Sequence, residues 1–360
     1  MQKKSFKLGL VGCGRVSPNH LGALGNTGLD AQWVAVCDAN PVAAQERAAQ
    51  YNVPAHHTDL HAMMRAHPEI DVAVVATPSG LHAEHVLALA PYGKHIIVEK
   101  PMALRVDDCD KMLAACAASG SRLFVVKQNR FNPAVVAVRR AFEQGRFGKM
   151  VSCAVCCRWM REQPYYEDGW HGTWRMDGGV MSQQACHHID LLQWFMGPIE
   201  RMTCFRQARL MKLEAEDTAV AAFQFVSGAL GTFEGTTAAR PEGLGASITL
   251  LGEKGSAIIE GDAVNELTHW KFDEERGEDS RIREDATQAV PNCYGCGHAP
   301  YIADVLHAIA EDRPGLVEGA EGRKNVAILA ALYESSFHGG APMAPGCEIT
   351  RSPLGRAPRG

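Results

Sequence analysis

The stretch His95-Ile96-Ile97-Val98-Glu99-Lys100-Pro101 decides how the chain is read. Its run of β-branched residues reads as a strand buried on both faces, and the run stops on two charges and a proline. A lysine at the end of a buried strand is costly unless something there uses it. In an open α/β sheet the ligand crevice lies outside the carboxyl ends of the strands, so Lys100 is expected to face that crevice. Pro101 fixes its own backbone and cannot donate to a sheet ladder, which makes it a turn or a rigid hinge. A strand end whose lysine is simply solvated fits the same residues.

Toward the N terminus, an apolar strand over residues 6–11 runs directly into Gly12-Cys13-Gly14-Arg15-Val16-Ser17. Glycines at the first two positions permit a tight turn and let the backbone approach a pyrophosphate, and the helix that Arg15 and Val16 open offers its N-terminal N–H groups to the anion. Ser17 stands where Gly or Ala is usual. A second strand, residues 33–37, ends on Asp38, twenty-four residues past Gly14. An acid about 20 residues on accepts hydrogen bonds from an adenosine ribose and repels a 2′-phosphate, which favours NAD over NADP. A Gly-rich turn beside a helix-capping Asp is the structural alternative.

Alternation continues with helices over 42–51, 59–66, 82–91 and 107–118, and strands over 72–76 and 122–126. Strands alternating with helices imply right-handed crossovers and a doubly wound parallel sheet. One sheet edge then collects Gly12, Asp38, Thr77, Lys100 and residues 127–129, with Gln128 and Asn129 among them. His82 opens the helix after Thr77, either near a nicotinamide or as a surface cap.

After a helix over 133–144 the period changes. Segments 150–158, 202–208, 219–225, 230–235, 247–251 and 257–260 read as strands with few helices between them, the pattern of an α+β domain with a mainly antiparallel sheet. A helix over 181–196, ended by Gly197-Pro198, is expected to carry Gln183, His187 and Asp190 on one face at i, i+4 and i+7. A histidine flanked by groups able to orient it has the make-up of a general base, although a polar helix face is also what solvent alone selects. Between the first two strands lies a segment rich in Arg, Trp and Tyr. There Arg158 and Arg161 can hold a carboxylate or phosphate, and Tyr165 and its aromatic neighbours can stack on a sugar or base; a lid or interface loop has the same composition. The domains expected are 1–128 and 129–340, followed by a Pro-, Gly- and Arg-rich flexible tail over 341–360.

The whole chain sets outer bounds. Its 360 residues suffice for two domains, and a net charge of −5 without a basic block argues against nucleic acid. No apolar run is long enough to span a membrane, no signal peptide is evident, and the 12 scattered cysteines read as reduced thiols in a cytoplasmic protein. Cys293, Cys296 and His298 invite a zinc site, but no second ligand pair has the expected spacing, so no metal is expected.

With the Gly12 loop, the Glu99-Lys100-Pro101 turn and the His187 to Asp190 segment in place, the chain resembles the Gfo/Idh/MocA oxidoreductase family over about residues 7–339. The resemblance implies an N-terminal Rossmann domain, a C-terminal domain whose open sheet often mediates oligomers, and oxidation or reduction of sugars or cyclitols. It maps the family's catalytic lysine onto Lys100, its helical histidine onto His187, and the aspartate before that histidine onto Gln183. It implies an NAD site of Gly12, Gly14, Arg15, Val16, Asp38, Thr77, His82, Glu99, Lys100 and Gln128, and a substrate site of Lys100, Asn129, Arg158, Arg161, Tyr165, Gln183 and His187. Residues 125–130, Tyr165-Tyr166, residues 170–174, 214–218 and 251–255 are similar to the bacterial branch that oxidises C3 of UDP-N-acetylglucosaminuronic acid for surface polysaccharide (O-antigen) sugars. That branch implies a UDP-sugar substrate, a homo-oligomer (dimer or tetramer) and, in some members, 2-oxoglutarate as the oxidant that recycles NAD. Another sugar or inositol dehydrogenase of the family, or a non-catalytic NAD-binding sensor, are the rival readings.

Overall fold

A computed structural model of the chain describes residues 5–290 and 292–356. It divides the chain into two compact units, residues 1–127 with 298–326, and residues 128–297 with 327–360.

The first unit is built on a six-stranded sheet of β1 (Ser5–Val11), β2 (Asp30–Cys37), β3 (Ala55–His57), β4 (Val72–Val75), β5 (His95–Val98) and β6 (Leu123–Val125), in the order β3-β2-β1-β4-β5-β6. Every neighbouring pair is parallel. This is the doubly wound Rossmann order, whose direction reverses beside β1 and so puts a crevice at its carboxyl end. Between the strands run α1 (Ser17–Leu21), α2 (Pro41–Tyr51), α3 (Leu60–Ala66), α4 (His82–Leu89) and α5 (Val106–Ala118). Ile96, Ile97 and Val98 are fully buried, and side chains of that size contribute about 1.5–3 kcal/mol each on burial. The start of α2 is fixed locally: Asn40 accepts hydrogen bonds from the Val42 and Ala43 N–H groups, and Pro41 takes the first helical position.

The second unit begins with α6 (Pro133–Glu143) and holds a seven-stranded sheet of β7 (Met150–Arg158), β8 (Ile199–Gln207), β9 (Thr218–Phe225), β10 (Leu230–Thr236), β11 (Gly245–Gly252), β12 (Gly255–Gly261) and β13 (Glu266–Phe272). The order is β13-β12-β11-β7-β10-β9-β8. Only β7 and β10 pair in parallel; the other five pairings are antiparallel. The helix α7 (Cys186–Met196) packs on β7 and stops at Gly197, whose φ of +83° few other residues adopt. The short helix α8 (Ile282–Ala286) packs on β13, α9 (His298–Ala310) returns to the first unit, and α10 (Gly319–Phe337) begins in the first unit and ends in the second.

Four features differ from the sequence reading. The chain crosses back, so the expected single boundary at residue 128 becomes a division in which residues 298–326 belong with the first unit. β3 is three residues long and carries two histidines, too little for a hydrophobic pattern. β13 escaped because a register shift at Ile258/Ile259 breaks its alternation and buries Leu267 and Trp270, three apart. The expected flexible tail is docked over the residues that are described, while 357–360 lie outside them. The Glu334 carboxylate accepts main-chain N–H bonds from Thr350, Arg351 and Ser352, Met343 bridges to Met202, and Leu354 is buried. Composition reads as a coil here because the anchoring acid lies on α10, outside the segment itself.

Candidate active site

In the first unit the glycine loop is built to bring main chain close to a ligand. Gly12 has φ +102°, and a Cβ there would lie 2.5 Å from the Ala76 carbonyl, so only glycine fits. A Cβ on Gly14 would meet nothing within 4 Å, which leaves its main chain open to an incoming group. Ser17 explains its own departure from the motif: its hydroxyl donates to the Gly14 carbonyl at 2.7 Å and closes the turn. The helix expected to follow, with Arg15 and Val16 at its start, is only the five residues of α1. The loop N–H groups, more than a helix dipole, therefore carry any anion. Asp38 at the end of β2 accepts from the Cys13 N–H and the Asn40 N–H, both at 2.8 Å. Each carboxylate oxygen keeps a further lone pair for a ribose hydroxyl, so this carboxylate both ties the loop to β2 and fits NAD.

The strand ends Thr77 and Lys100 are half-buried beside this loop's sheet edge, and the Thr77 hydroxyl pairs with His85 Nδ1 at 2.9 Å. His82 is not a surface cap. It is buried, with its ring nitrogens 2.8 Å from the Pro101 carbonyl and 2.9 Å from the Thr77 carbonyl, and so joins the two strand-end turns. Burial pushes its pKa down against those two acceptors.

Glu99, expected at the cofactor, turns inward because the sheet end offers it partners there. Its Oε2 accepts the Lys100 N–H at 3.0 Å, and its Oε1 lies 2.8 Å from His20 Nε2 and 3.7 Å from His298 Nε2. Burial alone would raise this carboxyl, but the two histidines hold it well below the usual carboxylate range. His20, His298 and Glu99 are the one group of three metal-capable side chains among the described residues. The 2.8 Å separation is that of a shared proton; two donors to one tetrahedral zinc stand roughly 3.3 Å apart. The triad thus pins the turn that carries Lys100. Cys293 and Cys296 join no such group among the described residues. Lys127, at the end of β6, donates from Nζ to Asn325 Oδ1 at 2.6 Å.

In the second unit the turn before α7 corrects the helical spacing. α7 starts at Cys186, so Gln183 is not one helical turn before His187 but lies in a wide turn closed by the Ala185 N–H to the Val180 carbonyl. Gly179, ahead of that turn, packs closely on Glu216: a Cβ there would lie 2.2 Å from the Glu216 carbonyl. Gln183 and His187 are both buried nonetheless. Asp190 forms a buried two-point ion pair with Arg130, at 2.8 and 2.9 Å. The amide nitrogen of Gln128 lies 3.3 Å from His187 Nε2. Asn129, the next residue, is buried, and its Oδ1 has no hydrogen-bond partner among the described residues.

The aromatic segment divides the two arginines. Arg158 makes a two-point cross-strand pair with Glu234 at 2.7 and 2.6 Å, which offsets its charge. Arg161 stacks over Trp159 and Tyr165 at 5.5 and 5.3 Å, donates to the Met160 carbonyl, and has no carboxylate partner among the described residues. It remains the guanidinium able to meet an anion. The Tyr165 hydroxyl accepts from Gln184 at 3.2 Å, and its ring lies 4.2 Å from that of His171. Gln184, not anticipated from the sequence, joins this segment to the turn beside His187.

A parallel dinucleotide-binding sheet that presents a lysine at a strand end, with a mixed-sheet domain that carries a buried histidine, defines an NAD-binding oxidoreductase. The chain belongs to the Gfo/Idh/MocA family: residues 6–127 match its NAD-binding Rossmann domain and residues 139–344 its C-terminal α/β domain. The chain is similar to the WlbA dehydrogenase of Bordetella pertussis, solved in complex with NADH and UDP-GlcNAcA, at 39% identity and a TM-score of 0.90, covering 97% of this chain and 100% of that one. It is 27% identical to the myo-inositol 2-dehydrogenase of Thermotoga maritima over 92% of this chain and 96% of that protein. To the inositol 2-dehydrogenase of Rhizobium meliloti it is 29% identical over 54% of this chain, a match that spans 56% of that protein. No helix among the described residues is long and apolar enough to cross a membrane.

Proposed function

We propose that the chain oxidises the C3 hydroxyl of UDP-N-acetylglucosaminuronic acid to the 3-keto sugar nucleotide. The observation that carries this reading is the likeness, over 97% of the chain, to a dehydrogenase solved with that sugar nucleotide and NADH. NAD, when bound, supplies the acceptor for the hydride that leaves C3. His187 takes the hydroxyl proton, and the Lys100 ammonium stabilises the developing alkoxide; the converse assignment makes Lys100 the base. Gln183 and Asn129 position the sugar, Tyr165 packs on it, and Arg161 meets one of its anionic groups. The product would enter transamination for O-antigen sugars in the cytoplasm, with 2-oxoglutarate recycling the reduced cofactor. The homo-oligomer belongs to the same proposal. Phe205, Val220, Leu230 and Leu251 are exposed on one face of the seven-stranded sheet, a row of apolar side chains that a second copy would cover.

Mass spectrometry of the sugar nucleotide after incubation with the protein, NAD and 2-oxoglutarate tests the reaction. Loss of two hydrogens supports it, and dependence on 2-oxoglutarate supports that route of recycling. An unchanged sugar nucleotide beside bound NAD removes this substrate. The inositol dehydrogenases among the relatives favour a second reading, oxidation of a cyclitol or unactivated sugar; turnover independent of the UDP moiety would select it.

A further inference from the structure

Gln128 is the first residue of a short 3-10 turn, Gln128–Phe131, that follows β6, and it is 2% exposed. Its main chain is held in place: a Cβ on Gly297 would lie 2.0 Å from the Gln128 carbonyl oxygen, so the glycine is what permits that approach. The two ends of its amide differ in chemistry, since the nitrogen only donates and the oxygen only accepts. Gln128 Nε2 lies 3.3 Å from His187 Nε2. With the amide nitrogen as donor the ring nitrogen is the acceptor, an arrangement that a neutral imidazole meets with its proton on Nδ1. At the long end of the hydrogen-bond range, this contact is one that an incoming hydroxyl can displace. Gln128 Oε1 is buried and has no partner among the described residues, a state that a ligand donor relieves.

We infer that Gln128 is a positioning residue for His187. Its amide N–H keeps the Nε2 lone pair of His187 unprotonated and aimed at the substrate hydroxyl, and its Oε1 accepts a hydrogen bond from the N–H or O–H on the carbon next to the one oxidised. This deepens the proposed function and rests on His187 as the proton acceptor.

The test reads the tautomer directly, without turnover. In protein labelled with ¹⁵N-histidine, long-range ¹H–¹⁵N correlation spectra, with His187 assigned from a His187→Asn variant, report which ring nitrogen carries the proton. The wild type is expected to show Nε2 unprotonated. Gln128→Glu, which can accept but not donate when ionised, is expected to move the proton to Nε2, and Gln128→Met to leave a mixture of tautomers. Both variants are expected to lose about 10- to 100-fold in kcat. Gln128→Met is also expected to raise KM for the sugar nucleotide about tenfold, through loss of the Oε1 acceptor. A wild-type His187 protonated on Nε2, or a tautomer that Gln128→Glu leaves in place, overturns the inference. If the tautomers behave as stated but the wild type leaves UDP-N-acetylglucosaminuronic acid unchanged, the substrate falls and the positioning role stands.

Discussion

At the scale of single residues, the proposed function makes its sharpest demand on His187. As the proposed base, its replacement in His187→Ala should lower kcat about 10²- to 10⁴-fold with NAD affinity unchanged in a direct binding titration. Full turnover in that variant would remove His187 as the base. Asp38 holds the Cys13 N–H, and the sequence reading also gives it the ribose of the cofactor. Asp38→Ser should therefore weaken NAD binding at least about tenfold, the worth of one charge-assisted hydrogen bond, while NADP gains relative to NAD. Equal loss for both cofactors would mean that the carboxylate matters only to the loop. The glycine loop and the strand end at Lys100 were legible because each sits where a local pattern changes. The partner of Arg158 was not, because Glu234 is 76 residues away and enters only through the pairing of β7 with β10.

At the scale of elements, what the sequence hid was partnership. The helical spacing of His187 and Asp190 was plain, yet it could not tell that Asp190 pairs with Arg130, 60 residues away. That pair is almost wholly buried, and the Arg130 guanidinium also lies 4.8 Å from the Trp194 ring. Asp190→Ala leaves an uncompensated buried charge and should cost about 3–5 kcal/mol in urea unfolding; a loss under 1 kcal/mol would mean that water reaches Arg130. The docked segment after α10 depends in the same way on Glu334. Burial would raise this carboxyl, but bonds from Thr350, Ser352 and Arg351 bring it down to about 2. A depressed carboxyl contributes stability above its unfolded value of about 4.5, and that contribution is lost as pH falls toward 2. Glu334→Ala should accordingly release residues 341–356 to limited proteolysis at neutral pH. Cleavage there at the wild-type rate would show that Met343 and Leu354 hold the segment without it.

At the scale of the whole molecule, the parallel sheet followed by a mixed one follows from the switch in periodicity near residue 150, whereas the return of residues 298–326 to the first unit leaves no local mark. Stability against pH is likewise a property of buried groups gathered from distant segments. Glu216 is fully buried; its Oε1 accepts from the Tyr333 hydroxyl at 2.8 Å and the Met181 N–H at 3.1 Å. Burial is the larger influence and pushes its pKa up to about 7, with the neighbouring Asp217 adding to the rise. A carboxyl raised in this way binds its proton more tightly folded than unfolded. Its contribution is complete below about pH 4.5 and is lost as pH rises through 7, a change of roughly 3 kcal/mol for a shift of about 2.5 units. Histidines held neutral by burial, such as His82, act in the opposite sense over part of the same range. The absolute profile therefore mixes both, and the difference between Glu216→Gln and wild type isolates the carboxyl. The amide keeps an acceptor for Tyr333 and Met181 but cannot ionise. The two proteins should unfold at nearly the same urea concentration at pH 4.5, and the variant should be the more stable by about 3 kcal/mol at pH 8. A difference that stays constant from pH 4.5 to 8 would mean that Glu216 is ionised, or neutral, throughout, and that burial does not govern it.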